Sequence, residues 1–415
     1  MLARHFRVIL ALPNPPDLEA EEVELWPYKW QDWPSLAGAV RRADVLLAGG
    51  DVLDCFPQLQ ALPIPLVVDG YDPHTVETLA LFDGTPQQDA LHRKREEILR
   101  LQCILGDFFL CASERQRDWW LGLLEAAGRI NSHTYRDDPS LRRLVDLVPF
   151  GLRSTPLRHT QAILRGVWPG IGQDDQIILW GGGLWQWMDP LSAVRAMSLV
   201  CRKRQDARLV FPGTRHPNPA IPDMQVQSEA RELAESMGLV HRVVFFGDWV
   251  AYEQWPNVLA ESTVALSLHL DSVETRLAFR SRVLDYVWAG LPIVATRGDA
   301  TSELVLHHGL GQVVGYQDVD AIGAALLQLL ESPASYSAAF ARARDALTWE
   351  RAAQPLVEFC RAPHFAADKH TGTQGQAQQA LHSGDLQPCR SATRSASSMT
   401  SRFLAHFRRV RGVQE

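Results

Sequence analysis

Two successive series of strand and helix patterns constrain the fold of this 415-residue chain more than any other feature. Short apolar runs typical of buried strands alternate with amphipathic stretches up to about residue 148, and the alternation starts again near residue 177. Such alternation predicts parallel sheets covered by helices. Val148-Pro149-Phe150-Gly151 places proline and glycine at the end of a strand pattern, which is typical of a domain boundary.

The sequence therefore predicts an α/β chain of two doubly wound domains that face each other across a cleft. We assign residues 1–150 to the first domain and residues 151–361 to the second, with the final helix returning to the first domain. Residues 362–415 contain few large apolar side chains, and we predict a disordered tail there because such a segment cannot bury enough surface to fold. Doubly wound sheets bind ligands at the carboxyl ends of their strands, so the loops at those ends are the candidate site.

Charge and hydropathy exclude several classes of protein. A net charge of −7 argues against an affinity for nucleic acid that depends on phosphate neutralisation. No apolar run approaches the roughly 20 residues that span a bilayer, and the N-terminus lacks the apolar core of a signal peptide, so we predict a cytoplasmic protein. The six cysteines are scattered without a C-x-x-C pair, which predicts reduced thiols and no metal site.

The tail carries seven basic and three acidic side chains, and its last stretch, Ser401–Arg411, predicts a short basic amphipathic helix. Such a helix would make weak peripheral contact with the inner face of a membrane. The alternative is a solvated chain end.

A glycine-rich turn, Gly181-Gly182-Gly183, follows a strand pattern and precedes a helix pattern that starts at Asp189-Pro190. We predict Asp189 as the N-cap and Pro190 as the first helical residue. Glycines let the backbone approach a ligand, and free amides at such a turn suit an anion. The alternative is that the tight turn itself requires glycine.

The densest group of charged residues runs from His269 to Asp285. Arg276, Arg280 and Arg282 converge on a predicted helix start with Ser281 as its cap, an arrangement that suits a diphosphate because guanidinium groups fork onto phosphate oxygens. Asp285, one turn into the helix, would accept hydrogen bonds from ribose hydroxyls. The alternative is a surface ion network in which the arginines pair with Asp271 and Glu274.

Two segments of the second domain resemble glycosyltransferase family 4. They are Phe246-Gly247-Asp248-Trp249-Val250 and Leu284-Asp285-Tyr286-Val287-Trp288-Ala289-Gly290-Leu291-Pro292-Ile293-Val294-Ala295. The resemblance covers about residues 146–360 well and the first half more loosely. It implies the GT-B fold, with two Rossmann-like domains, and a retaining transfer from a nucleoside-diphosphate sugar without a required metal ion.

The chain departs from the family at the first of two glutamates that stand eight positions apart. The second glutamate matches Asp285, whereas the first falls on Leu277. Glu274, eleven residues before Asp285, is the substitute that would face the sugar. Arg215, Trp249 and His269, in loops that follow strand patterns, complete the predicted set of donor-binding residues.

In the first domain, Val67-Val68-Asp69-Gly70-Tyr71-Asp72-Pro73-His74 resembles the His-Asp segment of the family. Asp72 and His74, with Asp69, would orient an acceptor hydroxyl. The alternative is that Asp72-Pro73 only begins a helix.

Related enzymes open with a strand, a glycine-rich loop and a helix. Here Leu2-Ala3-Arg4-His5 predicts the end of that helix, and Phe6–Ala11 predicts the next strand. The first domain is therefore expected to lack its first strand, which is central in a doubly wound sheet. We hypothesise that the reading frame is truncated or starts late.

The predicted activity is transfer of a hexose or deoxyhexose from a nucleotide sugar to a saccharide or a lipid-linked acceptor, in the synthesis of a cell-surface polysaccharide. No cofactor, no metal ion and no nucleic acid is expected to take part. Two alternatives stay open: a subunit that binds the donor without catalysis, and a nucleotide-sugar epimerase.

Overall fold

The computed structural model describes residues 1–13, 21–214 and 224–369. These residues form two compact units. The first contains Met1–Pro149 together with the described chain from Ala352 onward, and the second contains Phe150–Arg351. In the described part of the chain, no helix combines the length and the apolar character that crossing a bilayer requires.

The first unit is built from six strands and eight helices in the described residues. The strands are β1 (Ile9–Leu12), β2 (Glu24–Pro27), β3 (Leu46–Ala48), β4 (Leu66–Asp69), β5 (Phe108–Cys111) and β6 (Val145–Leu147). The helices before the second unit are α1 (Trp33–Val40), α2 (Gly50–Cys55), α3 (His74–Leu81), α4 (Gln88–Leu105), α5 (Glu114–Ala126) and α6 (Ser132–Asp137). The chain returns to the unit with the end of α15 (Trp349–Ala352) and with α16 (Gln354–Arg361).

All strand pairs of the first unit are parallel. Strands β3, β4, β5 and β6 form one sheet in that order, whereas β1 and β2 pair only with each other in the described residues. Ala11 of β1 and Leu46 of β3 nevertheless pack on the same cluster around Phe56. The two sheets therefore share a layer of apolar side chains although no ladder joins them. The predicted late start of the reading frame stays a prediction.

The ordered chain extends beyond the predicted end of the second domain. Asp368 forms a buried ion pair with Arg129, with 2.5 Å between Oδ2 and Nε. Ala366 donates its backbone N–H to Asp107, and the Lys369 ammonium lies 2.8 Å from the same carboxylate. This corrects the prediction of disorder from residue 362, because these three polar contacts hold residues 366–369 on the core. Residues 370–415, including the basic segment Ser401–Arg411, lie outside the described residues.

The second unit contains a six-stranded parallel sheet. Its strands are β7 (Gln176–Trp180), β8 (Ala207–Phe211), β9 (Val244–Phe246), β10 (Val264–Ser267), β11 (Ile293–Thr296) and β12 (Gly311–Val314). Its helices are α7 (Pro190–Lys203), α8 (Gln225–Ser236), α9 (Trp255–Glu261), α10 (Val273–Leu277), α11 (Arg282–Ala289), α12 (Ala300–His308), α13 (Val319–Glu331), α14 (Ser337–Ala346) and most of α15.

The strand order of this sheet is β12-β11-β10-β7-β8-β9. The chain proceeds from β7 to β8 and β9 in one direction, then returns to place β10 on the other side of β7. This reversal is a topological switch point, where loops diverge and leave a crevice at the carboxyl ends of the two strands. The crevice of the second unit therefore lies at the ends of β7 and β10, after Trp180 and Ser267.

The apolar strand patterns arise because the central strands are covered on both faces. Every residue of β10 and β11 is buried, as parallel strands under two helix layers require. The predicted N-cap of α7 is confirmed, because the Asp189 carboxylate accepts the Ser192 N–H. Ser113 caps α5 in the same way. Parallel sheets with helices between their strands agree with the predicted α/β class.

Candidate functional site

The glycine turn follows β7 directly, so it lies at the switch point. A Cβ at Gly181 would come within 2.7 Å of the Tyr286 hydroxyl, and Gly182 has φ of +86°. Both positions therefore require glycine for local reasons. The Tyr286 hydroxyl accepts the Gly181 N–H at 2.7 Å and donates to the Leu266 carbonyl at 3.0 Å. Tyr286 thus fixes the turn to β10, and it occupies one of the amides that the sequence predicts for an anion.

Arg282, at the start of α11, is the cation that faces this turn. Its guanidinium carbon lies 3.4 Å from the position that a Cβ on Gly182 would occupy, and its Nη2 donates to the Gly183 carbonyl at 3.3 Å. Nη1 is buried without a hydrogen-bond partner among the described residues, which also offer Arg282 no ion pair. Burial lowers the pKa of Arg282, and the charge of Arg280 lowers it further. An uncompensated guanidinium beside a glycine turn has the chemistry of an anion site.

Arg280 stands only two residues before Arg282, but it forms an ion pair within the fold. Its two terminal nitrogens bind Glu274 in a fork, at 2.8 and 2.6 Å. Both side chains are buried, at 7% and 2% exposure. In this structure the two charges neutralise each other. The predicted contacts of Arg280 with a diphosphate and of Glu274 with a sugar stay predictions. The alternative of an ion network is right for this pair, but the network is buried.

Two further buried groups extend the pair. The Asp299 carboxylate lies 3.6 Å from Arg280 Nε and 3.3 Å from His269 Nε2. Burial alone would raise the pKa of Asp299, but contact with His269 and the charge of Arg280 hold it below its ordinary value. His269 follows β10, so the network fastens the loop after β10 to the loop after β11. His269 is completely buried, and Asp299 caps α12 through the Ser302 N–H.

Arg276 and Ser281 are the two other residues of this segment that the sequence predicts for the site. Arg276 is exposed on α10. Ser281 stands at the N-cap position of α11, but its side chain caps no amide because its backbone is already helical there. The prediction of a serine cap is therefore wrong, and the start of α11 leaves its first amides without that partner.

Asp285 lies one turn into α11. Its Oδ2 accepts the indole N–H of Trp255 at 3.1 Å. Burial raises the pKa of Asp285, whereas the charge of Arg153 and the hydrogen bond from Trp255 act against that rise. The carboxylate keeps acceptor capacity after this single hydrogen bond, as a ribose contact requires.

Aromatic side chains surround the glycine turn. Trp185 and Trp187 stack with 5.7 Å between ring centroids and 10° between planes. Trp249, after β9, is 37% exposed, and a Cβ on Gly213 would lie 3.5 Å from its ring. Trp249 therefore stands at the carboxyl ends of β8 and β9, on the same edge of the sheet as the turn. Arg215 lies outside the described residues.

Asp72 and His74 belong to the first unit, at the end of β4. His74 begins α3, and its Nδ1 lies 3.3 Å from the Asp72 carbonyl oxygen. Burial lowers the pKa of His74, and the charge of Arg95 lowers it further, so the ring is neutral near pH 7. Its Nε2 is buried and has no hydrogen-bond partner among the described residues. Pro73 stands at the N-cap position of α3. Both interpretations of Asp72 and His74, the acceptor contact and the helix start, stay open.

Sequence reasoning missed Arg153, Trp255 and the Tyr286 hydroxyl. Trp255 and Arg153 stand 30 and 132 residues before Asp285, and no local pattern connects them with it. The sequence shows Tyr286 only as part of a family motif, because the role of its hydroxyl group depends on tertiary contacts. In the described ranges, no group of three or more His, Cys, Asp or Glu side chains is arranged to hold a metal ion.

Part of the second unit matches the model of a known family. Residues 175–332 match the model of the family described as glycosyl transferases group 1. No curated protein matches the chain.

Solved structures match both units at low sequence identity. Sucrose-phosphate synthase from Thermosynechococcus elongatus is 15% identical with a TM-score of 0.54, over 92% of this chain and 90% of that one. WaaG, a glycosyltransferase involved in lipopolysaccharide biosynthesis, is 14% identical with a TM-score of 0.53, over 89% and 93%. Anabaena HepE in complex with UDP and glucose is 14% identical with a TM-score of 0.56, over 90% and 91%. The chain thus has the GT-B fold, and it resembles the group 1 glycosyl transferases through residues 175–332.

Proposed function

We propose that the protein transfers a sugar from a nucleoside-diphosphate sugar to a saccharide or lipid-linked acceptor, with retention, during synthesis of a cell-surface polysaccharide in the cytoplasm. The observation that carries the proposal is the guanidinium of Arg282 at the glycine turn of the switch point, which has no ion-pair partner among the described residues. The family match over residues 175–332 supports it, as does the fold shared with HepE, which was solved with UDP and glucose.

The proposed chemistry needs a site that stabilises separated charge. When the bond from the sugar to the diphosphate breaks, negative charge develops on the leaving group and positive charge on the sugar ring. Arg282 would neutralise the diphosphate, and Asp285 would hold the ribose. The buried Arg282 side chain can act without solvent reorganisation because its position is fixed before the donor arrives. In this scheme Arg282 takes the role that a metal ion has in other transferases.

Glu274 has a structural role in this scheme. Its carboxylate is bound on both oxygens by Arg280, so it holds the loop before α11 in place. In the first unit, the buried Nε2 of His74 is the group that would contact a hydroxyl.

A second candidate function follows from the same pairing. If catalysis requires a carboxylate that faces the sugar, Glu274 does not supply it while it is paired with Arg280. The protein would then be a subunit that binds the donor without catalysis. Both candidate functions predict binding of the donor, but only the first predicts turnover.

The test uses the full chain with UDP-, GDP- and ADP-linked hexoses and deoxyhexoses. We expect one of these nucleotide sugars to raise the melting temperature of the protein. Its nucleoside diphosphate should be released when a membrane extract supplies the acceptor. A shift without release would favour the binding subunit. Absence of any shift across the series would overturn both candidates, and an altered sugar without acceptor would identify an epimerase.

Two additions sharpen this test. EDTA should leave turnover unchanged if Arg282 neutralises the diphosphate, and loss of turnover that Mg²⁺ restores would contradict the metal-free scheme. The anomeric configuration of the product, read by NMR, decides between retention and inversion.

A further inference from the structure

Arg153 occupies a place that the proposed chemistry does not use. It lies just after the start of the second unit, and its guanidinium stacks on two rings, 4.7 Å from the centroid of Tyr252 and 5.0 Å from that of Trp288. Cation-π contacts at such distances hold a guanidinium in one orientation. Arg153 is therefore fixed between two separate helical elements.

Those two elements are the ones that carry Asp285 and its hydrogen-bond donor. Trp288 stands three residues after Asp285 on α11, so both side chains lie on one face of that helix. Tyr252 stands three residues before Trp255, which donates to Asp285 at 3.1 Å. Arg153 thus contacts one neighbour of Asp285 and one neighbour of Trp255. A further bond, from Trp288 Nε1 to the Thr155 carbonyl at 2.7 Å, fastens the segment of Arg153 to α11.

The charge of Arg153 acts on the same carboxylate. Among the groups packed around Asp285, Arg153 is the cation that favours its ionised form, and the phenols of Tyr252 and Tyr286 are the other titratable groups. Burial raises the pKa of both phenols, so they carry no charge near neutral pH. Arg153 is then the charged side chain that opposes the desolvation of Asp285.

We propose that Arg153 is a positioning residue for the donor nucleoside: it keeps the Asp285 carboxylate oriented and ionised so that Asp285 accepts hydrogen bonds from the ribose hydroxyls. This inference rests on the proposed function. The diphosphate contact of Arg282 is separate from it, so loss of Arg153 should weaken recognition of the ribose and leave recognition of the phosphates intact.

The experiment measures binding of UDP, GDP, ADP and inorganic pyrophosphate by titration calorimetry between pH 5 and pH 8. The variants are R153M, R153K, D285N and R153M/D285N. R204M is the matched control, because Arg204 pairs with Asp206 at the opposite ends of the strands. Thermal unfolding of each variant shows whether it is folded.

We expect R153M to weaken binding of the preferred nucleoside diphosphate about tenfold at pH 7, the scale of one charge-assisted contact, and to leave pyrophosphate binding unchanged. Without Arg153 the pKa of Asp285 rises, so the loss of affinity on acidification should begin at a higher pH than in the wild type. R153K should restore part of the affinity, and R153M should have no effect in the D285N background.

Equal losses for nucleotide and pyrophosphate, or an equal loss in the D285N background, would overturn the assignment of Arg153 while the proposed function stands. If R153M unfolds, the neutral variant R153Q takes its place, and an unchanged affinity with an unchanged pH profile in R153Q would also overturn the assignment. If the wild type binds pyrophosphate and no nucleotide, the proposed function itself fails.

Discussion

Arg280 and Arg282 are two residues apart and have opposite electrostatic environments. Arg280 points to Glu274 and forms a forked, buried ion pair. Arg282 points to the glycine turn, where the described residues offer it a single carbonyl. A buried pair is balanced within the fold, whereas a buried single charge is a cost that a bound anion can offset. The comparison indicates which of two similar arginines serves the structure and which is available to a ligand.

The first prediction concerns the paired arginine. Arg280→Ala leaves the Glu274 carboxylate buried without its partner, and we expect a loss of about 3–5 kcal/mol in the free energy of unfolding. Urea unfolding measures it. The double variant R280M/E274L removes both charges and should recover most of the loss. If Arg280→Ala is as stable as the wild type, the pair is not the structural element described here.

The second prediction concerns the unpaired arginine. Arg282→Met should weaken binding of the nucleoside diphosphate by about 1–3 kcal/mol, which is roughly 5- to 150-fold. The melting temperature should stay equal or rise, because the substitution removes a buried uncompensated charge. Arg202→Met, at an exposed position in the last turn of α7, is the control and should change neither quantity. A loss of stability without a loss of affinity would reverse the comparison between the two arginines.

The third prediction tests the contact that shapes the turn. Burial raises the pKa of Tyr286 to about 12, so its hydroxyl keeps the proton that it donates to the Leu266 carbonyl. Tyr286→Phe leaves that carbonyl and the Gly181 amide without partners, and we expect a loss of about 1–2 kcal/mol in stability. Chemical denaturation measures this loss, and donor affinity should fall with it because the turn is no longer fixed.

The smallest expected effect is at Asp285. Burial raises its pKa in the folded state above the unfolded value, so ionisation of Asp285 lowers stability as the pH rises through that window. Asp285→Asn cannot ionise and should therefore be more stable than the wild type at pH 7. The difference should vanish at low pH. Unfolding curves at pH 4 and pH 7 measure it, and a destabilised variant at pH 7 would contradict it.

Much of the fold follows from the order of residues. The fully apolar run Phe108–Cys111 forms strand β5, because a short run of this kind has one stable place in a parallel sheet. The N-cap Asp189 with Pro190 after it marked the start of α7, since capping is a local interaction. The predicted tail begins too early because Asp368 pairs with Arg129, and a contact across 239 residues leaves no local pattern.

In the candidate site, too, some features follow from the sequence and others depend on tertiary contacts. Residue order alone predicts that glycines and arginines gather at the carboxyl ends of the strands, because alternating strands and helices place those loops together. It does not predict which arginine lacks an ion pair among the described residues, since Arg276, Arg280 and Arg282 have the same chemistry and stand within seven residues. That difference arises from tertiary contacts, because the partner of a buried charge depends on where side chains point in three dimensions, and the cost of desolvation makes each buried charge sensitive to its partner.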